Sequence, residues 1–265
     1  MKPNTRTQQS LATQMLKLIQ PKEHGSWSLV LEPLAFGLLV APSPGGVSLA
    51  FASLAAFLCR RPLKMVLRAR FNAPPQLSYA CVWMLGSLAA GGLSLALYYS
   101  RAKDLWALAP SALAGLVFLW FDSRNSAREE LAELCGAITF GMMPFALSIL
   151  AGHGLWESLA ISAIMLSRSI PTVMFIRTCV RRNKGRMVHT APALAVSSAC
   201  VLLTSGLVAL RLAPGLAVLF ALLLAARVFC LLIGNWRLAA KTTGIMEAAI
   251  GAATMPCLAF VWKLV

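Results

Sequence analysis

Long apolar runs separated by short, mostly basic breaks dominate this chain. A helix needs about 20 apolar residues to cross the hydrocarbon core of a bilayer. Nine runs approach that length: near 27–43, 47–66, 79–99, 105–121, 133–151, 157–177, 190–210, 213–234 and 245–264. Within them apolar residues continue all round the helical wheel, as they do where a helix faces lipid or other helices on every side. The pattern predicts an all-α, polytopic membrane helical bundle of about nine transmembrane helices. Residues 23–265 form its single transmembrane domain, after a cytoplasmic N-terminal lead over 1–22. Segments 1, 4 and 7 are tight in length or boundary, and only Arg211-Leu212-Ala213-Pro214-Gly215 separates segments 7 and 8. Eight is therefore the nearest competing count. The lead has no signal-peptide core; Leu11, Met15, Leu16 and Ile19, interrupted by Lys17, predict a short amphipathic or disordered segment.

Composition sharpens this picture. The 265 residues are 58% hydrophobic and 12% charged, against roughly 25% charged in a soluble domain. A formal charge of +15 has no separate basic domain to carry it. It reads as membrane-surface charge, which predicts membrane lipids as partners and no nucleic acid. Assigned to alternate loops, 18 of the 24 Lys and Arg fall on one side and 4 on the other, while Arg168 and Arg227 lie inside spans. The positive-inside rule then predicts the N-terminus in the cytoplasm and the C-terminus outside. The seven cysteines show no paired spacing and read as small packing residues.

Two basic segments stand on the inner side. Arg61, Lys64 and Arg68 recur at i, i+3 and i+7; Arg177, Arg181 and Lys184 recur at i, i+4 and i+7. Each set shares one helical face. They either set topology and touch lipid headgroups, or form an anion-binding pocket for phosphate or diphosphate, which guanidinium groups bind bidentately. Glu32, Arg168 and Arg227 are intramembrane ionisable residues that need partners, with Glu32, Glu133 and Glu247 available. Asp122, Glu129 and Glu133 share a face if their segment is helical, and would then hold a divalent cation. No tight Asp-rich motif accompanies them, so no metal or other cofactor is assigned. His24 beside Glu23, at the entrance to segment 1, suits proton relay near neutral pH or a structural hydrogen bond. His24, Glu133 and Glu247 are the candidate catalytic groups.

The run Pro21-Lys22-Glu23-His24-Gly25-Ser26-Trp27 with Glu32-Pro33 resembles the opening of the YwiC-like family of bacterial integral membrane proteins. Further matching pieces are Arg61-Pro62-Leu63, Glu133-Leu134-Cys135-Gly136, Arg177-Thr178-Cys179-Val180-Arg181 and Gly244-Ile245-Met246-Glu247. That family brings no settled activity. A more distant architecture is similar to the UbiA-type intramembrane prenyltransferases, where Asp-rich motifs in loops 2–3 and 6–7 bind a prenyl diphosphate through magnesium. Here both loops carry Arg and Lys and no Asp. Three functions follow as expectations: binding or processing of an isoprenoid or lipid with an anionic head, transport of a small anion, or a non-catalytic assembly role.

Overall fold

The computed structural model of the chain describes residues 11–20, 25–68, 76–124, 126–127, 129–234, 236 and 240–264. Among these the structure is helical throughout, with no strand. In order come α1 (Leu11–Ile19), α2 (Gly25–Val40), α3 (Pro44–Arg68) and α4 (Gln76–Tyr99). After a 3-10 turn (Ala102–Leu108) follow α5 (Ala109–Ser123), α6 (Glu130–Gly141), α7 (Met143–Leu150) and α8 (Leu155–Asn183). The last three are α9 (Ala191–Ala209), α10 (Leu216–Ile233) and α11 (Ala240–Trp262).

Among the described residues, eight helical stretches are long and apolar enough to cross a membrane, and the remaining expected run returns as the shorter apolar helix α2. The exception is the first segment. Its helix α2 has 16 residues, or about 24 Å, against a core of about 30 Å. It stops at Val40 because Pro42 and Pro44 follow; residues before a proline are driven out of helical conformation, and Pro44 then opens α3. The 105–121 run begins as the 3-10 turn and continues as α5. The 133–151 run is two helices, α6 and α7, joined at Met142 with Pro144 in the first turn of α7.

The second basic segment is the end of α8, which runs on past the apolar run to Asn183. It ends where Gly185 takes φ +69, the left-handed position that favours glycine. The Gly185 N–H then donates to Arg182 O at 2.9 Å and the Arg186 N–H to Arg181 O at 3.2 Å.

The short α2 sits between two apolar clusters. Val30 and Leu34 pack with Leu49, Ala96, Phe145 and Leu147 of α3, α4 and α7. Phe36 and Val40 pack with Ile161, Met165, Leu258 and Trp262 of α8 and α11. The Phe36 and Trp262 rings meet edge-on at 6.2 Å. Helices alternate in direction, so the C-terminal ends of α3, α5, α8 and α10 gather with the start of α6 at one end of the bundle. That end holds most of the described charge and is the basic end below.

Candidate functional site

At the basic end, α3 presents Arg60, Arg61 and Lys64. Arg60 Nε donates to Asp122 Oδ2 at 2.8 Å, and Lys64 Nζ to Asp122 Oδ1. Asp122, in the last turn of α5, is almost fully buried, so two cations satisfy one desolvated carboxylate. The Arg60 guanidinium also lies 4.3 Å above the Phe118 ring. Arg61 Nη1 donates to the backbone oxygens of Lys17, 2.8 Å, and Gln20, 2.7 Å. These oxygens belong to the C-terminal turn of α1, where a cation also meets the negative end of the helix dipole. Thus i and i+4 (Arg60, Lys64) share a partner, whereas the expected i and i+3 (Arg61, Lys64) diverge to different helices. The side chain of Arg68 lies outside the described residues, as does His24.

The end of α8 is built differently. Arg177 Nη1 donates to Glu133 Oε2 at 2.7 Å, with Glu130 Oε2 3.6 Å from Nε. Beyond Arg177, the half-buried Arg181 and the exposed Lys184 and Arg186 meet no carboxylate among the described residues. Arg182 Nη2 donates to Leu232 O at 3.1 Å and caps the end of α10. The expected face of Asp122, Glu129 and Glu133 is interrupted, because α5 ends at Ser123 and α6 begins at Glu130. Asp122 and Glu133 therefore bind different cations, and no group of three metal-ligating side chains occurs among the described residues.

Deeper in the bundle, four ionisable groups from four helices alternate in charge. Glu32 of α2 accepts from Arg168 Nε of α8 at 2.7 Å and from Ser28 Oγ. Arg168 Nη2 donates to the backbone oxygen of Glu247 on α11 at 3.0 Å. Glu247 Oε1 accepts from Arg227 of α10, and its Oε2 from Thr172 Oγ1 at 3.3 Å. Arg168 and Glu247 are 4% and 3% exposed at the side chain, so neither tolerates loss of its partner. Gly251, one turn after Glu247, makes room for this set. A Cβ there would overlap the Arg168 guanidinium and the Glu32 carboxylate.

The three intramembrane ionisable residues and Glu247 are thus brought together, and Glu133 is not. Arg177, Arg181 and Lys184 face α6, nearly opposite on α8 to Arg168, Thr172, Phe175, Cys179 and Arg182, which face α10 and α11. The two candidate sites therefore occupy opposite sides of one helix. Sequence reasoning missed Arg60 and Arg182, though the i, i+4 spacing of Arg60 and Lys64 pointed to one. The face repeating from Arg168 to Arg182 pointed to the other.

Residues 20–148, holding α2 to most of α7, match the family model described as YwiC-like protein. Over this stretch the chain is YwiC-like. The matched region contains Glu32, the α3 cations, Asp122 and Glu133, whereas Arg168, Arg227 and Glu247 lie beyond it. No curated protein and no solved structure matches the chain. It is an integral membrane protein with a multi-pass helical bundle, and membrane lipids surround it.

Proposed function

We propose that this YwiC-like integral membrane protein binds an amphiphile with an anionic head, an isoprenoid or lipid phosphate, at the cytoplasmic face of the bacterial inner membrane. The basic end lies in the cytoplasm, with the N-terminus inside and the C-terminus outside. The observation that carries this reading is the charge imbalance over the last turns of α8, where Arg181 and Lys184 stand beyond the Arg177–Glu133 pair without an acid. Exposed guanidinium and ammonium groups at headgroup depth each attract anionic lipid by about 1 kcal/mol. Arg177 is held by Glu133 within the protein. The α3 cations support the fold instead, since Arg61 and Lys64 are already engaged. The architecture is UbiA-like in outline, but the corresponding loops carry Arg and Lys and no Asp, so the head is held by cations directly rather than through metal.

Native mass spectrometry of the detergent-extracted protein tests this. With phosphatidylglycerol or an isoprenyl phosphate added, the R181Q/K184Q double variant should lose bound anionic amphiphile about tenfold or more, while R61Q retains it. Preference for one of the two additives identifies the source of the head. Equal retention by wild type and double variant would refute the site and favour an assembly role. Small-anion transport is the second reading, favoured by Arg168 and Arg227 lying within spans. It requires uptake in proteoliposomes that R168Q abolishes.

A further inference from the structure

Three guanidinium nitrogens on the α8–α10 side are buried yet unpartnered among the described residues: Arg182 Nη1, Arg227 Nε and Arg168 Nη1. They are arranged in order of depth. Arg182 lies at the basic end, capping α10. Arg227 stacks over Phe175, 5.1 Å from its ring centroid, midway along α8. Arg168 lies about 21 Å from Arg182 along the axis. A buried N–H donor without an acceptor costs roughly 1–3 kcal/mol, and these three lie along one side of α8. At its deep end the charges cancel: Arg168 and Arg227 against Glu32 and Glu247. Within that set one oxygen is loosely held, since among the described residues Glu247 Oε2 meets Thr172 at 3.3 Å and Arg168 Nη1 at 4.0 Å.

We propose that the seam between α8, α10 and α11 admits a small oxyanion, carboxylate or phosphate in type, that binds between Arg168 and Arg227 together with one proton. The anion displaces the Glu247 carboxylate from the two guanidinium groups. Glu247 takes up a proton from water at Oε2, so one negative charge and one proton enter and the buried set remains neutral. No covalent bond to the anion forms. The groups facing Glu247 are Arg227 from α10; Arg168, Thr172 and Cys179 from α8; and Glu32 from α2. Of these Glu32 keeps its own bonds to Arg168 Nε and Ser28, which leaves Glu247 as the group that exchanges. Arg182 supplies the entrance. The site lies across α8 from Arg181 and Lys184, so it stands or falls independently of amphiphile binding there.

Isothermal titration of the purified full chain with formate tests this, because formate stays a monoanion between about pH 6 and about pH 8. The expected result is affinity rising about tenfold per unit fall in pH, with one proton taken up per formate, seen by comparing buffers of different ionisation enthalpy. E247Q, neutral at every pH, should bind formate without pH dependence, and R182Q should slow or weaken entry while the R181Q/K184Q variant behaves as wild type. Formate binding by wild type without proton uptake, or no binding at all, overturns the proposal; this measurement needs no variant to fold. An E247Q protein that remains monodisperse yet keeps the wild-type pH dependence overturns the assignment to Glu247.

Discussion

The basic ends of α3 and α8 look alike as strings of residues and are opposites as structures. On α3, every described cation already has a protein acceptor: Asp122 for Arg60 and Lys64, the α1 carbonyls for Arg61. On α8, one acid pair holds Arg177 and Leu232 O takes Arg182, while Arg181, Lys184 and Arg186 meet no carboxylate among the described residues. The difference comes from neighbours rather than from the segments themselves. The end of α3 packs beside α5, which delivers a buried aspartate, and under α1, which delivers bare carbonyls. The end of α8 packs beside α6, whose acids Glu130 and Glu133 reach only its Arg177. Equal positive charge therefore fastens helices in one place and faces the membrane surface in the other.

That contrast breaks most sharply at Asp122. D122N should lower unfolding stability by about 3 kcal/mol, read by thermal denaturation in detergent, since it leaves two cations beside a buried amide. An unchanged midpoint would make the α3 end as open as the α8 end. Next is R61Q, which removes two charge-assisted hydrogen bonds at an exposed site, about 1–2 kcal/mol in all. Hydrogen exchange of residues 11–19 should accelerate while the bundle melts as before; protection of α1 at the wild-type level would show that its apolar side, not Arg61, holds it. The smallest effect belongs to α8. E133Q weakens a partly exposed pair, so its cost is at most about 1 kcal/mol. Because Arg177 then joins the open cations, bound anionic lipid should rise; a fall would mean that Glu133 belongs to the binding site.

Much of the fold was legible because the bilayer imposes length and polarity together. The apolar runs from 47 onward return as the eight spans. The first run returns as the shorter helix α2, whose length is set by the prolines that follow it. Arg168 and Arg227 were legible as groups in need of acids, and Glu32 and Glu247 as two of the acids. The sorting of Glu133 to Arg177 was not, since it depends on which helices touch. Arg61 and Lys64, expected on one face with Arg68, turn to different helices for a related reason: long side chains on neighbouring positions follow whichever helix is nearest. Gly251 was silent, because its importance is the absence of a Cβ against groups drawn from α2 and α8.

The placement of Glu247 on the last helix has a consequence for biosynthesis. Arg227 emerges from the ribosome before any carboxylate that will neutralise it, on a span that must still partition into lipid. An unpaired arginine near mid-span costs about 2.5–3.5 kcal/mol on insertion. Helix α10 is the most apolar of the eight spans, which offsets that penalty but does not supply the missing partner. The insertion machinery is therefore expected to hold α10 at its lateral gate until α11 arrives, and to release the two as a hairpin with Arg227 and Glu247 already joined. Helix α2, inserted near the start, carries the other acid, so the bundle closes only when its earliest and latest helices meet across Arg168.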